Sequence, residues 1–248
     1  VVFEDVQGCP KGFRLLVNWF TGTRKNLTLG FPSQLNKLEL SQSYPRHTKG
    51  LSPIQHEIVA DGPIFENVLE GDHIDVTKFP SPLWNPEDGG RYIGTGCFNI
   101  TRDPDTGWIN CGTYRVMVHD EKRVGLYISP GKHGRIHRDK YMASGTPMPV
   151  CIVVGSDPLS FLTSSTEAPE GMCELDMMGA YRGTAIQCVE GKHTGLPFPA
   201  NSEIVIEGFI HPGNTKREGP FGEWLGYQGG EMEPEPWVDI SAVYHRND

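Results

Sequence analysis

From Arg91 to the end of the chain, apolar runs follow one another too closely for helices to fit between them. RYIGTGCFNI, WINCGTYRVMVHD, RVGLYISP, PVCIVVG and SEIVIEGFI each have strand character, with turn-forming text such as RDPDTG between two of them. A parallel βαβ repeat needs a helix-length crossover between strands, so this spacing argues against a doubly wound sheet. It predicts an α+β protein with a mostly β core, decorated by helices. Residues 113–129 read as a hairpin, and the continuously apolar PVCIVVG reads as a fully buried strand. GRIHRDKYMAS is the best helix candidate.

Residues 1–60 read as a small α/β segment. Strand-like VVFEDV precedes a turn at QGCPKG, where Gly8 and Pro10 break the pattern; an apolar run, FRLLVNWF, and a helix-like PSQLNKLEL follow. From Asp61 to Gly90 the text is rich in Pro, Gly, Asn and Asp, which predicts a long irregular connection and a soft boundary. Residues 61–248 then form the main domain.

A chain of 248 residues can bury a sizeable core, and its net charge of −9 argues against nucleic acid or an anionic membrane surface as the main partner. A local basic pocket for a phosphorylated ligand is compatible with that charge. No apolar run approaches the ~18 residues of a membrane span. Six cysteines without a CxxC pair, and no signal peptide, predict reduced thiols in a cytoplasmic protein. The chain begins at Val1 and stops just after WVDISAVYH, which predicts a part of a longer polypeptide.

The stretch REGPFGEWLGY sets Glu218 and Glu223 five positions apart. Neither a helix nor a strand puts such a pair on one face, so only a bent backbone can bring them together, and Gly219, Pro220 and Gly222 supply one. On TYRVMVH, Tyr114, Val116 and Val118 share one face, while Arg115, Met117 and His119 share the other. A half-buried arginine needs an anionic partner. Taken alone, Arg115 favours a structural ion pair; joined to both glutamates it would split their titration and make a proton-transfer site. Asn110, His133 and Glu174 lie in WINCG, SPGKHG and EGMCELD. Their donor types suit a hard divalent ion that also takes phosphate oxygens, although such types far apart are common by chance. The other histidines show no HxH or HExxH pairing, so no tetrahedral zinc site is expected and they read as surface or satisfied core residues. The common nucleotide-binding and serine-hydrolase motifs are missing.

DGGRYIGTG, NCGTYR, GKHG, PEGMCELDMMGAYRG, LPFPANSEIVIEGFI and EGPFGEWLGY occur in this order, and together they closely resemble the UbiD family of prenylated-FMN-dependent decarboxylases. The likeness covers most of residues 55–247. It implies a core related to flavin-binding split β-barrels over 61–248, with 1–60 as part of the family's N-terminal region. It implies that Asn110, His133 and Glu174 are ligands to Mn²⁺ (or Mg²⁺) clamping the cofactor phosphate, with Ser164 at a nearby K⁺ site. Lys132 is placed beside the phosphate or a second acidic group of the substrate.

In this resemblance Arg115, Glu218 and Glu223 form an Arg-Glu-Glu network, and Glu223 delivers the proton after carbon dioxide leaves a cofactor adduct of an aromatic, heteroaromatic or α,β-unsaturated acid. Trp224 and Met117 are candidate walls of the substrate pocket. A flavin prenyltransferase would supply the cofactor. The family's C-terminal α/β domain, which closes the site and builds a homo-oligomer, has no counterpart in this text. A chain without it reads instead as a flavin-binding or assembly module.

Overall fold

The computed structural model describes residues 1–166, 168–223, 225–229 and 233–247. At the start, β1 (Val2–Glu4) and β2 (Arg14–Leu16) pair antiparallel and are followed by helices α1 (Thr23–Thr28) and α2 (Lys37–Thr48). The second helix starts after Asn36, later than the helix-like text at Pro32, because a capping box forms there. Asn36 Oδ1 accepts from the Leu38 and Glu39 N–H groups, while the Glu39 carboxylate accepts from the Asn36 N–H.

The expected irregular stretch holds single 3₁₀ turns and one strand, β4 (Asn67–Glu70), which follows the short β3 (Glu57–Ile58). Strands then dominate, in the order β5 (Tyr92–Gly94), β6 (Phe98–Arg102), β7 (Ile109–Gly112), β8 (Val116–Asp120) and β9 (Arg123–Leu126). Helix α3 (His133–Ser144) leads into β10 (Met148–Val154), and α4 (Pro158–Ser165) and α5 (Glu174–Arg182) follow. The remaining strands are β11 (Gln187–Glu190), β12 (Pro197–Pro199), β13 (Ile204–Glu218), β14 (Phe221–Gly222), β15 (Gln228–Gly229) and β16 (Glu233–His245).

Nine strands form one antiparallel sheet in the order β5-β8-β9-β16-β13-β10-β6-β7, with β4 added beside β16. Helices and a small β12-β11-β3 sheet pack around it, so the class is α+β. β10 lies between β6 and β13, and its alternate residues enter two different cores. Met148, Val150 and Ile152 join a cluster with Val116, Leu126 and Val238, whereas Cys151 and Val153 join one with Phe98, Phe198 and Tyr244. Burial on both sides is why this strand carries no polar alternation. A third cluster, Leu29, Leu40, Leu159 and Met178, seats the N-terminal helices on α4 and α5.

The turn after β13 depends on Gly89. A Cβ there would lie 1.8 Å from the Gly219 carbonyl oxygen, and the Gly89 N–H donates to the Pro220 carbonyl at 2.8 Å. Gly89→Ala should therefore cost about 1–3 kcal/mol of stability in urea unfolding. Gly96→Ala, whose Cβ would meet only Trp19 Nε1 at 3.7 Å, should be near neutral. Equal stability of the two variants would contradict this packing.

Candidate functional site

Arg115 precedes β8 and turns away from Tyr114, Val116 and Val118, which pack in the core. Its Nε and Nη2 donate to Glu218 Oε1 and Oε2 at 2.9 and 2.7 Å, a bidentate fork. Tyr92 Oη donates to the same Oε1 at 2.9 Å, and Glu218 is only 2% exposed. The guanidinium also lies 4.5 Å from the Tyr127 ring centroid and 5.6 Å from that of Phe221. Burial works against the charge on Arg115, but the Glu218 carboxylate outweighs it and holds the guanidinium above its ordinary pKa. Burial and the same carboxylate push the Tyr92 phenol up, so it stays protonated as a donor.

Glu223 follows β14 in a turn closed by its N–H on the Tyr227 carbonyl at 2.8 Å and the Gly226 N–H on its own carbonyl at 2.9 Å. Gly219 enters the bend with φ +80°, a conformation that favours glycine. Asp88 fixes the other side, accepting from the Gly222 N–H at 2.8 Å. Glu223 Oε1 sits 2.7 Å from the point where a Cβ on Gly229 would stand, and Arg115 Nη1 donates to the Gly229 carbonyl at 3.4 Å. The second acid thus reaches the arginine's neighbourhood through Gly229. Among the described residues no hydrogen bond or ion pair joins it to Arg115 or Glu218. Trp224 lies outside the described residues; Met117 is buried with its Cε where a Gly90 side chain would be, 2.3 Å from that Cβ position.

Asn110, His133 and Glu174 come from β7, the start of α3 and the start of α5. Asn110 Nδ2 donates weakly to Thr101 Oγ1 at 3.4 Å and to Tyr114 Oη at 3.5 Å. That same phenol accepts from the Gly134 N–H, next to His133, at 3.1 Å. On the other side, the Cys111 N–H donates to Glu174 Oε2 at 2.7 Å. Trp108 ties the group together: its Nε1 donates to the Met172 carbonyl at 3.1 Å and its ring meets His133 edge-on at 4.8 Å. Burial raises the Glu174 carboxyl to about 7 against the opposing hydrogen bonds of the Cys111 N–H and its own N–H. Among the described residues no cationic side chain pairs with this buried acid, and the carboxylate, amide and imidazole donor types suit a hard divalent cation. Lys132 is exposed as the cap of α3, and Ser164 is buried on α4, which packs against β6, β7 and α5.

Sequence reasoning did not single out Tyr92, Thr101 or His137. Tyr92 and Thr101 left no mark beyond strand character. His137 stands one helical turn after His133, with the i, i+4 spacing of HExxH but with Gly134 where that motif has glutamate. Two clefts open elsewhere, of about 730 Å³ near Asp75 and Arg123 and about 400 Å³ near Arg138 and Glu235. Neither is lined by Arg115, Glu218, Asn110, His133 or Glu174.

His137 is fully buried, with Nδ1 3.0 Å from Thr101 Oγ1 and Nε2 without a hydrogen-bond partner. Burial lowers its pKa from 6.5 to about 4. As pH falls below 6.5 the unfolded chain takes the proton first, so this group's stabilisation is complete above that value and is lost as pH approaches about 4. The loss amounts to about 3 kcal/mol. Urea unfolding of His137→Gln across this range should show a shallower acid loss than the parent, and an unchanged slope would contradict the assignment.

The UbiD family model, described as the 3-octaprenyl-4-hydroxybenzoate carboxy-lyase Rift-related domain, matches residues 57–248. The pyrrole-2-carboxylic acid decarboxylase of Pseudomonas aeruginosa is 35% identical over 195 residues, 79% of this chain and 39% of that protein. The vanillic acid decarboxylase of Sedimentibacter hydroxybenzoicus, in closed form, matches with a TM-score of 0.91 and 28% identity over 99% of this chain and 52% of that one. An evolved dimeric form of the UbiD-class enzyme HmfF from Pelotomaculum thermopropionicum, in complex with prFMN, gives 0.82 and 28% identity over 92% and 52%. The chain therefore spans about half or less of these relatives' lengths. With most of its length under one family model, and a fold shared with enzymes of that class, the chain belongs to the UbiD family.

Proposed function

We propose that this chain is the cofactor-binding part of a reversible, non-oxidative decarboxylase acting on a small aromatic, heteroaromatic or α,β-unsaturated carboxylic acid. The observation that carries the reading is the buried Arg115–Glu218 fork with Glu223 one peptide away across Gly229. The relatives' substrates, pyrrole-2-carboxylate and vanillate, support the aromatic class. When bound, prenylated FMN supplies an electron sink for the carbon that loses carbon dioxide.

The chain's own residues bind and move protons. Arg115 offsets the repulsion between a carboxylate substrate and the glutamates. Glu218, gripped by the guanidinium and Tyr92, fixes the arginine. Glu223, with no such fork, delivers the proton to the reacting carbon. Asn110, His133 and Glu174 would hold Mn²⁺ or Mg²⁺, whose charge would offset that of the cofactor phosphate; Lys132 would add positive charge there, and Ser164 would lend a backbone ligand to K⁺. In this reading 61–248 is the split-barrel domain and 1–60 belongs to an N-terminal region. A C-terminal α/β domain outside this chain closes the site and builds a homo-oligomer.

The test uses the full polypeptide co-expressed with a flavin prenyltransferase in the cytoplasm. Glu223→Gln should keep the visible flavin spectrum and lose carbon dioxide release by about 10²–10⁴-fold. Full turnover in that variant removes Glu223 from the mechanism. A flavin spectrum with no carbon dioxide release or exchange in the parent, across a panel of aryl acids, would favour a non-catalytic flavin-binding module instead. Separately, Glu174→Gln should weaken Mn²⁺ binding, read by electron paramagnetic resonance, by about 100-fold or more. Unchanged affinity would place the metal elsewhere.

A further inference from the structure

The first turn of α5 carries a second group of donor atoms that the proposed reaction does not use. Cys173 caps this helix and Asp176 lies three residues on, so both face the same side. His56, 120 residues from Asp176 in sequence, is brought there by its backbone N–H, which donates to Asp176 Oδ1 at 2.9 Å. Its Nδ1 meets the same oxygen at 2.7 Å. One ligand-type atom from each residue lies within 4.8 Å of the others. The thiol is buried, while the imidazole and carboxylate are 15% and 21% exposed, which gives the group a floor and an open rim.

We propose that His56, Cys173 and Asp176 form a second metal site, for a thiophilic divalent ion of the Zn²⁺ class. Sulfur and imidazole nitrogen together select borderline ions over the hard ones that suit amide and carboxylate oxygen. Tetrahedral bonds of about 2.0–2.3 Å put ligand atoms about 3.3–3.8 Å apart. The triad therefore needs only side-chain rotations to close on an ion. Entry of the cation replaces the proton now bridging His56 and Asp176. The fourth position is left to water or to Cys111, which lies with Cys188 in the same buried cluster as Cys173. The expectation of no tetrahedral site rested on short motifs, and a ligand set assembled over long range, as here, leaves none.

The site is separate from the one assigned to Mn²⁺. Ile109 and Cys111 face the core cluster that holds Cys173, whereas Asn110, between them on β7, faces Thr101 and Tyr114. The proposal therefore stands whether or not the decarboxylase reading does.

Co²⁺ is the probe, added to the full polypeptide carrying Cys9→Ser to remove the one partly exposed thiol. The site already described would bind Co²⁺ through oxygen and nitrogen only, so a thiolate-to-cobalt charge-transfer band in the near ultraviolet reports this site alone. We expect one equivalent of Co²⁺ to raise that band after saturation with Mn²⁺, and one equivalent of Zn²⁺ to abolish it. Cys173→Ser should eliminate the band, and His56→Gln, at a partly exposed position, should weaken Co²⁺ binding tenfold or more. No band in the parent at saturating Co²⁺, a band that survives Cys173→Ser, or unchanged affinity in His56→Gln would each overturn the assignment.

Discussion

Both faces of the central sheet are covered, so a charge placed inside it must find its partners inside as well. Three buried glutamates show how differently that demand is met. Glu207 on β13 accepts from the His193 and Thr194 N–H groups, the Thr194 hydroxyl and the Tyr244 phenol, at 2.6–2.9 Å. Glu218, at the far end of the same strand, takes a guanidinium fork and a phenol. Among the described residues Glu174 has backbone N–H groups only, and burial raises its carboxyl to about 7. The first is a structural acid with its lone pairs occupied. The second is neutralised by a charge that itself faces Tyr127 and Phe221. The third has no charged side chain bonded to it among the described residues.

Much of the fold could be read because its signals are local. PVCIVVG announced a strand with two apolar faces, and the 113–129 hairpin and the helix over 133–144 followed from turn and cap residues. The face assignment on TYRVMVH put Arg115 opposite the core side, and its partner then had to be acidic. What escaped was formed by long-range pairing. β3 joins β11 in parallel, Ile58 against Cys188, across a separation no periodicity can register. β13 runs to Glu218 rather than stopping near Ile210 because β16 continues beside it, with bulges after Glu207 and Ile210.

The site divides along the same line. Bending at Gly219 was legible, since residues that forbid regular structure separate the two acids. That the bend gives Glu218 to the arginine and leaves Glu223 behind Gly229 was not, because it depends on Asp88 and Gly89 gripping the turn from a remote loop. Tyr92 escaped for a related reason: on β5 it reads as one more buried aromatic, and only the end of β13 turns its hydroxyl into a donor.

β7 explains why hard and soft donors can lie so close without competing. A strand sends successive side chains to opposite faces, so Asn110 and Cys111 point apart while sharing one peptide. That peptide's N–H is the one on Glu174, whose own neighbour is Cys173. The oxygen and amide donors thus collect on the side of Tyr114 and α3, and the sulfur donors on the side of Phe98 and Phe198. An ion on either side would bear on the hydrogen bond between Cys111 and Glu174, a single backbone contact that both environments share.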